Sequence, residues 1–336
     1  MLEVILGGEK MNGNPIFILG SHKSGSSLLR NLFDGHSELF VIPIEAHFFQ
    51  YNGYWIDYGI RRQMPVDLTE GQIINNYVSA INLANTTPGG YSDSDTRGMW
   101  DVEKFEEKIK KGKNYNNIKS SIINYIEAMY YSISGTELPE DKRVVEKSVE
   151  NAEFAIDLKT IFPNAKFIHI VRNPYATLVA IRKFKSQQGY PFLKWIIESM
   201  YNSYYYLEKN QRLFSKKDYL VLKYEDLVTQ PKMIIKKIIT FLDLPEEKIL
   251  YIPTVQKKLW EGNSTSGEKF KSISSKRLNK WKDEIYPLEA QVVNFKFEFI
   301  LKKYGYEVIT EVKERYPEDK KSIDMYNFNA NFLKLL

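Results

Sequence analysis

The apolar stretch Pro15–Gly20 (PIFILG) runs straight into Ser21–Ser27 (SHKSGSS), and this junction constrains the fold more than any other feature. The run has no polar alternation, so a strand made from it needs cover on both faces, as in a parallel sheet. After the loop, Leu28, Leu29, Leu32 and Phe33 recur at helical spacing, and Gly35 closes the helix. The unit is strand, glycine-bearing loop, helix. Further apolar runs follow: FVIPI at 40–44, RVVE at 143–146, FIHIV at 167–171 and YLVL at 219–222. Helical patterns lie between them. Asn151 is the expected N-cap of a helix carrying Phe154, Leu158, Ile161 and Phe162, and Pro231 opens another. Val292, Phe295 and Phe299 suggest one last long helix capped by Gly305. The alternation predicts an α/β fold, a P-loop-like parallel β-sheet flanked by helices.

Residues 50–140 differ in texture. Helical patterns at 68–84, 101–110 and 117–131 are separated by polar stretches such as NTTPGGYSDSDTRG, which reads as a helical insertion over the sheet. Residues 14–310 are expected to form a single domain, with a flexible 1–13 and a peripheral tail at 311–336. An apolar share of 43% supplies a sizeable core. The net charge of +5 suits an anionic ligand, a nucleic acid, an anionic membrane surface, or simply a lysine-rich exterior. The absence of cysteine excludes disulfides and thiolate-held metals, and four scattered histidines argue against zinc. No apolar run reaches the ~18 residues of a membrane span, and the first residues make a poor signal peptide. The expectation is a cytoplasmic protein of open oligomeric state.

Gly20-Ser-His-Lys-Ser-Gly25-Ser26-Ser27 keeps the two glycines of the Walker pattern but has Ser26 in place of its lysine. A strand feeding such a loop into a helix aims backbone N–H groups and the helix's positive end at an anion. A tight turn with an N-cap reads equally well from this stretch alone. Arg172-Asn173-Pro174 follows the strand FIHIV, and an arginine at the carboxyl end of a parallel strand sits where α/β folds bind ligands. Its planar fork suits a phosphate, although a capping turn paired with a carboxylate is the alternative.

KSGSSLLRNLFDGHSELF resembles the 5′-phosphosulfate loop of sulfotransferases that use 3′-phosphoadenosine 5′-phosphosulfate (PAPS), with serines for the usual threonines and His36-Ser37 for His-Pro. KFIHIVRNPYATLVAIRK resembles that family's 3′-phosphate motif, with Ala180 where the family has serine; Thr177, Arg182 and Lys183 are the candidates to compensate. KYEDL at 223–227 and SISSKRLNKWKDEI at 272–285 resemble two further segments, in the family's order. The resemblance implies that Lys23, Ser24, Gly25, Ser26 and Ser27 hold the phosphosulfate end. It implies Arg172 for the 3′-phosphate, and Arg277 and Lys280 for closure over the nucleotide. No metal is implied. Sulfuryl carries less charge than phosphoryl, so Mg²⁺ and a loop lysine are less needed.

Transfer requires stabilising the leaving phosphate, neutralising the sulfuryl oxygens and deprotonating the acceptor. The resemblance gives the first two tasks to Lys23 and to Lys147 of EKSVEN, a lysine that otherwise reads as solvent-facing at a strand end. Glu45, just past an apolar strand, is the expected base, with His47 as second candidate. His169 falls on a buried strand, and His36 is expected to bond the turn after the first helix. The implied partners are PAPS, whose product is 3′,5′-adenosine bisphosphate, and a hydroxyl- or amine-bearing acceptor held under the insertion. No nucleic acid is expected. Two other functions share the loop and sheet: a P-loop small-molecule kinase, and a nucleotide-binding module without catalysis.

Overall fold

The computed structural model describes residues 14–54, 66–87, 94–187, 193–264 and 267–313. In chain order, β1 (Ile16–Leu19) leads to α1 (Ser26–Phe33), β2 (Leu39–Val41) and the one-turn α2 (Phe48–Tyr51). Three insertion helices follow, α3 (Glu70–Thr86), α4 (Val102–Lys111) and α5 (Ile118–Ser134). The chain then returns to β3 (Arg143–Lys147), a 3-10 turn (Val149–Ala152) and α6 (Ala155–Ile161). β4 (Lys166–Val171), α7 (Pro174–Gln187), α8 (Leu193–Leu213) and β5 (Tyr219–Lys223) come next. The chain continues through α9 (Tyr224–Thr229), α10 (Pro231–Leu242), a short hairpin of β6 (Thr254–Val255) and β7 (Lys258–Leu259), α11 (Pro287–Lys296) and α12 (Glu298–Tyr304).

β1 to β5 form one parallel sheet in the order β2-β3-β1-β4-β5. Ile18 stands opposite Lys147 on one side and Ile168 on the other, and β4 runs on past them to Val171. Side chains alternate between two cores. Ile16, Ile18, Val145 and Ile168 pack under α1 and α10, while Phe17, Leu19 and Phe167 pack with Leu158 and Phe162 of the α6 region. The helices after β1 and β3 thus cover opposite faces. Between the carboxyl ends of two such strands a crevice opens, and there α/β sheets place their ligands.

The insertion helices start where polar side chains accept from free N–H groups. Thr69 makes a capping box with Gln72, and Asp101 and Asn117 accept from Lys104 and Ser120. Each lies within three residues of its expected bounds. Tyr77 of α3 stacks on Tyr125 of α5 at 3.9 Å, and Asn52 donates to the Tyr77 hydroxyl at 2.6 Å. The insertion is thereby fixed to the segment that carries Glu45 and His47.

Three expectations need correction. β2 is shorter than 40–44: Ile42 still donates to the Val145 carbonyl at 3.0 Å, but Pro43 has no N–H to extend the ladder. Asn151 caps no helix; it lies in the 3-10 turn and its amide donates to the buried Glu146. The last long helix is two, broken at Phe297, whose fully buried ring packs on Tyr204, whereas Phe295 is 77% exposed. The buried spacing is Val293, Phe297, Ile300 and Leu301, not the one read from Phe295. Residues 1–13, most of the tail (314–336) and residues 188–192 lie outside the described residues.

Candidate active site

The loop after β1 is tightly determined. At Gly20, φ is +153° and an added Cβ would meet Ser24 Oγ at 2.7 Å and the Ile170 carbonyl at 2.9 Å. At Gly25, φ is +99° and a Cβ would lie 2.3 Å from Tyr224 Cδ2. Both positions demand glycine. Lys23 is left-handed at φ 60°, and its ammonium lies 4.0 Å from the Phe184 ring centroid. Ser26 and Ser27 form the first turn of α1. Ser21 Oγ and Ser24 Oγ are buried without a hydrogen-bond partner among the described residues. Buried hydroxyls are normally satisfied, so unmet groups beside a helix N-terminus fit an anionic ligand.

Arg172 reaches this loop. Its Nη1 donates to the Lys23 carbonyl at 2.7 Å, its guanidinium lies 4.6 Å above the Tyr224 ring, and its buried Nε has no acceptor among the described residues. Tyr224 is therefore wedged between Gly25 and Arg172. Glu225 braces the same corner, accepting from the Asn173 N–H and from the Tyr306 hydroxyl, each at 2.9 Å. The sequence reading noted this Tyr-Glu pair only as part of a motif. Around Ala180 the three candidates to compensate are engaged elsewhere. Thr177 donates to the Asn173 carbonyl at 3.0 Å, Arg182 pairs with Glu289 at 2.6 Å, and Lys183 pairs with Glu284 at 2.7 Å.

A second group lies at the end of β3. Lys147 is not solvent-facing: it is 2% exposed and its ammonium pairs with Glu45. On the far side of Glu45, His47 Nε2 stands 3.6 Å from Oε2. His47 Nδ1 lies 2.7 Å from Glu150 Oε1, inside the protein. Burial lowers the imidazole pKa, but the charge and hydrogen bond of Glu150, with Glu45 and Glu146 nearby, outweigh it and raise it to about 9. At neutral pH His47 is an imidazolium, which argues against it as the first proton acceptor. Beneath lies Glu146, pushed up to about 7 by burial, and bonded by Ser148, Asn151 and the Ala46 N–H. Glu45, His47 and Glu150 stand close enough to share one cation, within 4.8 Å of one another. Lys147 and the imidazolium supply positive charge at that place. Sequence reasoning missed Glu146 and Glu150, because VEKSVEN looks like surface.

Arg277 and Lys280 have other surroundings: Arg277 donates to Glu268 at 2.7 Å, and Lys280 is solvent-exposed on a 3-10 turn. His169 is buried, accepts or donates at 2.7 Å with the Tyr219 hydroxyl, and burial lowers its pKa to about 3. His36 Nδ1 accepts from the Glu38 N–H, leaving Nε2 to donate to the Pro245 carbonyl.

Comparison with known proteins bears on the family and the fold. The model of the sulfotransferase family matches residues 15–248. The sulfotransferase domain from the curacin biosynthetic pathway superposes with a TM-score of 0.57 at 21% identity, over 88% of this chain and 99% of that one. The sulfotransferase domain of the Synechococcus PCC 7002 olefin synthase gives 0.53 at 19% identity, over 90% and 98%. Likeness at these identities establishes the fold. An uncharacterized protein of Aquifex aeolicus (strain VF5) is 23% identical over 260 residues, or 74% of this chain, which spans 28% of that protein's length. Among the described residues no helix is long and apolar enough to cross a membrane.

Proposed function

The chain belongs to the sulfotransferase family, and on that premise we propose that it transfers a sulfuryl group from PAPS to a hydroxyl or amine acceptor by in-line displacement. The observation that carries the reading is the hydrogen bond from Arg172 to the Lys23 carbonyl. It holds the β4 arginine against the β1 loop, the closeness that a nucleotide bearing anions at both ends requires. PAPS, as donor substrate, supplies the activated sulfuryl group and a bisphosphate leaving group.

Ser24, Gly25, Ser26 and Ser27 would hold the phosphosulfate with backbone N–H groups and hydroxyls at the start of α1, and Lys23 would add charge. Arg172 would bind the 3′-phosphate, with Tyr224 and Glu225 fixing its direction. Arg277 and Lys280 would close over the nucleotide, a role that requires Arg277 to exchange its Glu268 partner. Lys147 would neutralise the sulfonate, and Glu45 would take the acceptor's proton. For an alcohol the balance is simple. The bond from sulfur to the bridging phosphate oxygen breaks, and its electron pair leaves with the bisphosphate. The bond from sulfur to the acceptor oxygen forms, and the proton passes to Glu45. No step calls for a metal ion.

Release of labelled sulfate from PAPS, first to water and then to a panel of phenols, alcohols and amines, tests this directly in buffer containing EDTA. Sulfuryl release without Mg²⁺ supports the reading. Turnover of ATP that depends on Mg²⁺, with PAPS inert, would instead identify a phosphotransferase built on the same loop.

A further inference from the structure

Lys147 faces two demands. It is paired with Glu45, and on the reading above it must also neutralise the sulfonate. Glu45 is only 12% exposed, so an ammonium that turns away removes one of the positive charges facing a poorly solvated carboxylate, which is costly. The structure holds a second cation on the other side of Glu45. His47 Nε2 stands 3.6 Å from Oε2, and His47 Nδ1 is anchored on Glu150 at 2.7 Å. The Glu150 side chain is fully buried, and its Oε2 has no hydrogen-bond partner among the described residues. A carboxylate in that position is tolerated against a facing positive charge. The backbone is held to match: His47 is left-handed at φ 48° and ψ 42°, a conformation that costs energy for a non-glycine residue, and its N–H donates to Ser148 Oγ at 3.1 Å.

We propose that Glu150 is a positioning residue for sulfuryl transfer: it holds His47 as an imidazolium, the standing cation that keeps Glu45 paired while Lys147 turns to the sulfonate. The chemistry of this assignment rests on the sulfotransferase reading; its geometry does not. Among the described residues, the groups facing His47 include Glu150 from the turn after β3, Glu146 from β3, Glu45 from its own segment, and Tyr51 of α2, edge-on at 6.0 Å between ring centres. Burial pushes Glu146 up to about 7, so it is a second titrating group beside His47.

The test compares wild type, Glu150→Gln and Glu150→Asp by the pH dependence of sulfate release from PAPS, with water as acceptor. Nitrogen-15 NMR follows the His47 ring, assigned through His47→Gln. Activity that needs the imidazolium falls as pH rises through its pKa. Wild type should keep its rate to about pH 9. Glu150→Gln should lose it roughly two units lower, near the ordinary histidine value, and Glu150→Asp should lie between. A rate that drops evenly at every pH with an unmoved alkaline limb would reduce Glu150 to a packing residue. So would a wild-type His47 that titrates near its ordinary value. If wild type releases no sulfate at all, the sulfotransferase reading is what fails, and the NMR titration still decides whether Glu150 keeps His47 charged.

Discussion

Replacing Gly25 by alanine probes the joint between the loop and the arginine. The residue sits at φ +99°, and the new Cβ would lie 2.3 Å from Tyr224 Cδ2 and 2.8 Å from Cε2. Holding alanine in a left-handed conformation costs about 1–2 kcal/mol. Carbon atoms pack at about 3.5–4.0 Å, so the tyrosine ring must also retreat by more than about 1 Å. Its other face carries the Arg172 guanidinium at 4.6 Å. Losing that cation–π contact is worth about 0.5–2 kcal/mol, and Arg172 then loses its aim. The backbone share should appear in stability, lowering the melting temperature by a few degrees. The Arg172 share should appear in nucleotide affinity as a roughly 2- to 30-fold weaker Kd. Thermal unfolding and titration calorimetry with 3′,5′-adenosine bisphosphate measure the two separately. A Gly25→Ala protein that melts and binds like wild type would refute the claim that loop, ring and arginine form one packed unit.

Glu45→Gln and Lys147→Ala should each lower sulfate release by about 100-fold or more, while bisphosphate affinity measured by calorimetry stays within about threefold, because both residues act on transfer rather than on nucleotide binding. Equal losses in both quantities would contradict those roles. Stability should fall between about pH 7 and 9. The folded pKa of His47 is raised to about 9 from 6.5, so its contribution is complete below the unfolded value and is lost as pH rises through the folded one. Thermal melts of His47→Gln across that window should lack this slope; an identical slope would place the titrating group elsewhere. The opposite sign holds for His169. Its pKa is lowered to about 3, so stability declines as pH drops from about 6.5 toward 3, and this part of the slope should be missing in His169→Phe.

Much of the sheet could be read from the chain because buried parallel strands leave an unmistakable trace. PIFIL, RVVE and FIHIV are apolar on both faces, and each ends at a polar loop. The insertion helices were legible as helical patterns between polar stretches, and Asp101 and Asn117 at their starts prove to be caps. The site was legible where it is local, as in the strain of Gly20 and Gly25. It was obscure where contacts are distant. Tyr224 meets Gly25 and Arg172 only once the sheet brings β1, β4 and β5 together. Lys147 offered a solvent-facing reading and Glu146 and Glu150 no role at all, because sequence polarity does not tell that 2% or less of each is exposed. The break at Phe297 escaped for a related reason. Phe295 and Phe297 carry the same side chain, and only tertiary packing decides which ring is buried.

Every functional assignment made here presumes that one small anion-bearing ligand spans the distance from α1 to the end of β4. Titration calorimetry of 3′,5′-adenosine bisphosphate in EDTA, on wild type and Arg172→Ala side by side, measures this most directly. Binding at low micromolar or tighter is predicted for wild type. A roughly 10- to 100-fold weaker Kd is predicted for Arg172→Ala, the worth of charge-assisted hydrogen bonds to a phosphate. No heat at tens of micromolar, or equal affinity in the two proteins, would contradict it.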